Sequence, residues 1–138
     1  MEWDGKILLI LGAAGGVGMA AIEVGKSLGQ TTIIACASSP AKRELCKARG
    51  SDFVVDYTTR GWHRDVLHST DRAGVHCVVD PVGGDYMTGC LRCTRPGGCI
   101  LTVGYAAGIP SIPIEQLLQR NISLVGVWTT ASHYPTEV

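Results

Sequence analysis

Between residues 7 and 18 the chain reads ILLILGAAGGVG: five apolar residues, Ile7 to Leu11, run into Gly12, Gly15, Gly16 and Gly18. Glycine lets a backbone close on a bulky anion, and the N–H groups freed at the start of a helix supply the donors. Such a turn suits a pyrophosphate. In the G-x-G-x-x-G frame Ala13 stands where the first glycine belongs, and the same segment also reads Gly12-x-x-Gly15-x-x-Gly18. The pattern alone is weak, because a helix packed closely on a strand also needs small residues. Its setting, after an apolar run and at the head of a helical one, points to a dinucleotide seated on the N–H groups around Gly15 to Val17.

The end of the next apolar run carries the second clue. Chains that prefer NAD usually set Asp or Glu about twenty residues past the loop to hold the ribose 2′-hydroxyl. Here Ser38 and Ser39 stand there, with Lys42 and Arg43 just beyond. A carboxylate would repel a 2′-phosphate, whereas hydroxyls, cations and a second helix N-terminus would hold it. NADP is the favoured cofactor, although Lys42 and Arg43 also fit as solvated first-turn residues.

No catalytic constellation accompanies the loop. His63 and His68 share a polar, weakly patterned helix, His76 opens a strand and His133 is near the C-terminus. Each reads as surface or strand filler rather than a general base. Asp80 ends a strand, at the crevice of an open sheet, and reads first as a cap for the turn at Pro81. Cys90 and Cys93 make one C-x-x-C, but no second pair completes a tetrahedral zinc site. The six cysteines read instead as small buried hydrophobes. The ending Thr136-Glu137-Val138 fits the T-x-Val form that a PDZ groove accepts by strand addition, a form common by chance.

A strand, a helix and a sheet must hold that loop in place. Gly15 to Leu28 sets Val17, Ala21, Val24 and Leu28, with Ala20 beside them, at helical spacing, which predicts a stripe facing a sheet, and Gly29 ends the helix. Thr31 to Ala37 is a second buried strand, and a helix capped by Ser39 with Pro40 at its first position runs to Gly50. The rhythm then repeats: strands at 53–55, 75–79, 100–103 and 122–128, helices at 60–69, 84–94 and 114–119. Six strands with helices between predict an open parallel sheet, doubly wound α/β in three layers, of order 3-2-1-4-5-6. The expected domain is 1–128, with 129–138 a polar tail.

At 138 residues the chain fits one domain that buries about two thirds of its unfolded surface. Lys+Arg and Asp+Glu are 12 each, so no field draws in nucleic acid or an anionic membrane surface. The start, MEWDGK, has no basic n-region, and its apolar run is too short to span a bilayer, so a cytoplasmic protein is expected.

GAAGGVGMAAIEVGKSLG, SSPAK, VVDYTT, VVDPVGG, RPGGCILTVGYAAGIP and NISLVGVW, in that order over residues 4 to 128, resemble the Rossmann cofactor domain of zinc-independent medium-chain dehydrogenases/reductases, the quinone oxidoreductase (ζ-crystallin-like) group. Alanine in the glycine loop is usual there. The resemblance implies NADPH, with Gly15, Gly16 and Val17 at the pyrophosphate, Ser38 and Lys42 at the 2′-phosphate and Tyr57 beside it. It also sets Gly104, Tyr105 and backbone near Val127 toward the nicotinamide. It implies a homodimer through the last strand, Ile122 to Trp128, which as a bare apolar edge would otherwise invite aggregation. Members of that group carry a substrate domain before the glycine loop and a further C-terminal segment, so one wall of the substrate cleft is expected to be absent here. Two functions follow: a domain of an enzyme that passes hydride, without a metal, to a quinone or enone, an enoyl reductase being a close variant; or a non-catalytic binding module.

Overall fold

The computed structural model describes residues 2–128; the tail, with His133 and the Thr136-Glu137-Val138 ending, lies outside the described residues. Six strands and five helices alternate: β1 (Ile7–Ile10), α1 (Gly16–Ser27), β2 (Thr32–Ala37), α2 (Pro40–Ala48), β3 (Phe53–Asp56), α3 (His63–Ser69), β4 (Val75–Asp80), α4 (Tyr86–Cys93), β5 (Thr94–Thr102), α5 (Ile114–Arg120) and β6 (Ser123–Gly126). All strands pair parallel, in the order β3-β2-β1-β4-β5-β6. This is the doubly wound arrangement, with its switch point between β1 and β4. Because β1 lies at the centre, Leu8, Leu9 and Ile10 are buried from both faces, which is why that strand reads as an unbroken apolar run.

The two faces carry separate cores. α3, α4 and α5 cover one, where Leu9, Ile34, Val78 and Ile100 meet Val66, Met87 and Leu91. α1 and α2 cover the other over β1, β2 and β3, where Leu8, Ile10, Ile33 and Ala35 meet Ile22 and Cys46. Farther along that second face the cover thins: Val79, Cys99 and Leu101 are only partly buried, and Val125, paired in register with Leu101, is 43% exposed.

α1 does not turn its predicted stripe to the sheet. The buried residues are Gly18, Ile22 and Gly25, while Val17 and Val24 are 53% and 56% exposed and Leu28 and Ala20 are exposed too. The reason is distance. A Cβ on Gly18 would stand 2.5 Å from the Ala13 Cα, and one on Gly25 would stand 2.8 Å from the Ile33 side chain, so only glycine lets α1 lie this close to β1 and β2. Ion pairs from Lys26 to Asp52 (2.9 Å) and from Arg49 to Glu23 (3.5 Å) turn one flank toward α2, leaving Val24 and Leu28 on the other.

The caps fall where the sequence puts them. Ser39 accepts from the Lys42 N–H at 3.2 Å with Pro40 opening α2, and Gly29 and Gly50 follow α1 and α2 at φ +116° each. β5 departs from expectation by starting at Thr94, ahead of Pro96-Gly97-Gly98. Val75 pairs with Thr94 and Cys77 with Cys99, so the intervening residues loop out as a bulge, with Gly97 at φ +81°. α3 is shorter than predicted, beginning at His63, and β6 spans only Ser123–Gly126 at the sheet edge. Among the described residues no helix is long and apolar enough to cross a membrane.

Candidate dinucleotide site

The C-terminal ends of the strands open on a crevice of about 540 Å³ at the switch point. Gly15, Gly16 and Val17 line its middle. Gly15 is the N-cap of α1, no side chain caps that end, and no acidic residue sits in the first turn. The first N–H groups of the helix are thus directed at the crevice with the positive end of its dipole. The glycines divide the work. Gly18 is needed for packing, whereas a Cβ on Gly16 would meet nothing within 4 Å, so packing does not require glycine there. Gly12 takes φ +55°, the sharp turn out of β1.

At the β2 end, Ser38 and Lys42 line the crevice, with the Lys42 Nζ donating to the Ser38 Oγ at 3.4 Å. Arg43 is committed elsewhere: it donates to the Ala37 carbonyl at 3.1 Å and pairs with Asp56 at 3.6 Å. Hydrogen bonds from the Thr58 hydroxyl and N–H, with Arg43 nearby, hold the exposed Asp56 carboxyl below the usual range. Among the described residues that line the crevice, Lys42 is therefore the cation left facing it.

Tyr57, from the end of β3, lines the same space and packs on Tyr86 at the head of α4, ring centroids 4.9 Å apart, with Trp62 edge-on behind it at 6.4 Å. Burial, then the neighbouring Tyr86, Cys36 and Asp80, push the Tyr57 hydroxyl up, so it remains a hydrogen-bond donor. Tyr86, Pro81, Val82, Ala106 and Ala107 also line the crevice and were missed in the sequence. Their common signal is position, just past β4 and β5 beside the switch point. Gly104 and Tyr105 stand next to this lining: a Cβ on Gly104 would meet the Pro81 carbonyl at 2.9 Å, and the half-exposed Tyr105 ring stacks on Trp128 at 6.5 Å.

The other reactive residue types serve the frame. The His76 Nδ1 accepts the Ile7 N–H at 2.9 Å, at the end of the sheet away from the crevice, and burial with Arg95 and Lys6 nearby lowers its pKa. Five of the six cysteines are buried free thiols and Cys99 is half-buried. Burial pushes Cys36 and Cys90 well up and Cys93 to about 12, so they stay protonated. Among the described residues no three His, Cys, Asp or Glu side chains converge to hold a metal.

A parallel sheet of order 3-2-1-4-5-6 with a glycine turn at its switch point defines a Rossmann dinucleotide-binding domain. Residues 16–138 match the family model described as zinc-binding dehydrogenase. Over 125 residues the chain is 35% identical to quinone oxidoreductase-like protein 2 of Bos taurus, covering 90% of this chain and 36% of that protein. Over 133 residues it is 36% identical to the quinone oxidoreductase of Pseudomonas aeruginosa, covering 96% of this chain and 41% of that one. It superposes on the crystal structure of a Pseudomonas syringae quinone oxidoreductase with a TM-score of 0.83 at 32% identity, over 95% of this chain and 40% of that one. The chain belongs to the quinone oxidoreductase group of the medium-chain dehydrogenases/reductases, as an NAD(P)-binding domain, and spans about two fifths of the length of these relatives.

Proposed function

We propose that this domain binds NADPH and presents the reduced nicotinamide for metal-free hydride transfer to a quinone or enone whose binding surface lies outside residues 1–138. What favours NADPH over NADH is the β2 end of the crevice. Ser38 and Lys42 lie together there, no carboxyl group among the described residues lines the crevice, and Asp56 is tied to Thr58 and Arg43. When bound, the nicotinamide supplies the hydride. The chain's own residues seat it: N–H groups around Gly15 to Val17 take the pyrophosphate, Ser38 and Lys42 take the 2′-phosphate with Tyr57 beside it, and the wall of Pro81, Val82, Ala106 and Ala107, with Gly104 and Tyr105 next to it, faces the nicotinamide. Near-attack positioning of an acceptor is most of hydride-transfer catalysis, and it needs a second wall. The chain alone therefore binds without turnover.

Titration of the purified chain with NADPH and NADH, beside an NADPH-oxidation assay with a quinone and an enone, tests this. Tighter NADPH binding with no oxidation is expected; equal or NADH-favoured affinity overturns the cofactor assignment, and turnover overturns the need for a second wall. The exposed β6 edge is proposed to pair with β6 of a second copy. Sedimentation showing a monomer at high concentration would count against that pairing.

A further inference from the structure

Asp80 closes β4 and is fully buried, yet it is not among the residues that line the crevice. Its Oδ1 accepts two backbone N–H groups of the turn that follows, Val82 at 2.9 Å and Gly83 at 2.9 Å, while its Oδ2 has no hydrogen-bond partner among the described residues. The turn so held is unusual in backbone as well: Gly83 and Gly84 take φ +65° and +54° in succession. Glycine enters that region without steric cost, so the pair lets the chain turn sharply where Asp80 holds it.

That turn in turn carries the next loop. The Pro81 carbonyl accepts the Ala106 N–H at 3.2 Å, the Val82 carbonyl accepts the Ala107 N–H at 2.8 Å, and the Gly84 N–H donates to the Gly108 carbonyl at 2.8 Å. The two loops touch without room to spare, since a Cβ on Gly83 or Gly84 would stand 2.7 Å from the Gly108 or Ala107 carbonyl oxygen. Residues 105–109 are exposed, so the loop rests on the turn, and the Asp80 Oδ1 holds that turn at its Val82 and Gly83 N–H groups. Pro81, Val82, Ala106 and Ala107 are the crevice wall at the β4–β5 end.

We infer that Asp80 is the positioning residue for the nicotinamide half of the site: through its Oδ1 it sets the height of the wall formed by Val82 and Ala107, without touching the cofactor. This rests on the proposed cofactor reading and adds a division to it. The adenosine half, held from β1, β2 and β3, is independent of Asp80; the nicotinamide half is not. Charge is not the requirement. An amide oxygen in the same place accepts the same two N–H groups, so Asp80→Asn retains the wall and Asp80→Ala loses it.

The full chain and its Asp80→Asn and Asp80→Ala variants are titrated with NADPH and with 2′,5′-ADP, which carries the adenosine end alone, and the emission of bound NADPH is recorded. In Asp80→Ala, NADPH affinity falls about tenfold, 2′,5′-ADP affinity stays within about twofold, and the emission of bound NADPH moves toward that of free NADPH. Asp80→Asn behaves as the unaltered chain. Should Asp80→Ala not fold, Asp80→Ser, which also lacks the carboxyl oxygen at that reach, takes its place; Gly84→Ala, whose Cβ would stand 2.7 Å from the Ala107 carbonyl oxygen, displaces the same loop and also loses NADPH selectively. Equal loss of both ligands, or no loss of NADPH, overturns the role of Asp80. Failure of the unaltered chain to bind 2′,5′-ADP overturns the cofactor reading beneath it.

Discussion

Two glycines two residues apart in α1, Gly16 and Gly18, have opposite duties, and alanine at each separates them. At Gly18 a Cβ would stand 2.5 Å from the Gly12 carbonyl oxygen and from the Ala13 Cα, both backbone, where ordinary contact begins at 3.4 Å. Neither neighbour can rotate away, so α1 must back off the β1 turn by about 1 Å, at the upper end of the cost of overpacking, about 3 kcal/mol. Better helix propensity returns up to about 1 kcal/mol. Gly18→Ala thus loses about 2 kcal/mol and lowers Tm by roughly 6–10 °C. At Gly16 the added Cβ meets nothing, so Tm is unchanged or slightly higher. The same methyl stands where a pyrophosphate would approach, and NADPH binding weakens about tenfold or more. Thermal unfolding and calorimetric titration of both variants read these effects. Unchanged NADPH affinity in Gly16→Ala would show that no ligand comes close there, and an unchanged Tm in Gly18→Ala would refute the packing account.

Lys42→Ala, which removes the cation facing the crevice, should weaken NADPH by about tenfold while leaving NADH within about twofold, as read by paired titrations. His76 accepts the Ile7 N–H as a neutral ring with a lowered pKa, so its contribution is complete above 6.5 and is lost as pH falls through the folded value. Tm should drop on the acid side of 6.5, and His76→Asn, whose amide oxygen can accept the same N–H, should show a smaller drop. Ellman's reagent should modify Cys99 readily in the native chain and all six thiols after denaturation; fast native reaction of more than one would contradict the burial of the others.

The parallel order and the crevice were legible because each rests on local chemistry. Val, Ile and Leu runs between glycine turns define strands buried on both faces, and Ser39-Pro40 announces α2 whatever lies around it. Gly15, Gly16, Val17, Ser38, Lys42 and Tyr57 do line one space, because each follows the C-terminal end of β1, β2 or β3. The buried stripe of α1 was not legible. Hydrophobicity ranks Val17, Val24 and Leu28 above glycine, but the face that approaches a sheet most closely is chosen by size, and Gly18 and Gly25 fit where valine cannot. Tyr86, Ala106 and Ala107 escaped for another reason: their place depends on how the turns after β4 and β5 lean together, set by Asp80 and three backbone bonds between loops distant in sequence.

The thin cover over Val79, Cys99, Leu101 and Val125 has a calorimetric consequence. Folding of this chain withdraws less apolar surface from water than folding of a sheet covered on both sides throughout. Its heat capacity of unfolding per residue should fall below the usual ~12–15 cal/mol/K, and its urea m-value should be low for 138 residues. A flatter stability curve follows, with a broad, shallow maximum. Cold should unfold the chain only reluctantly.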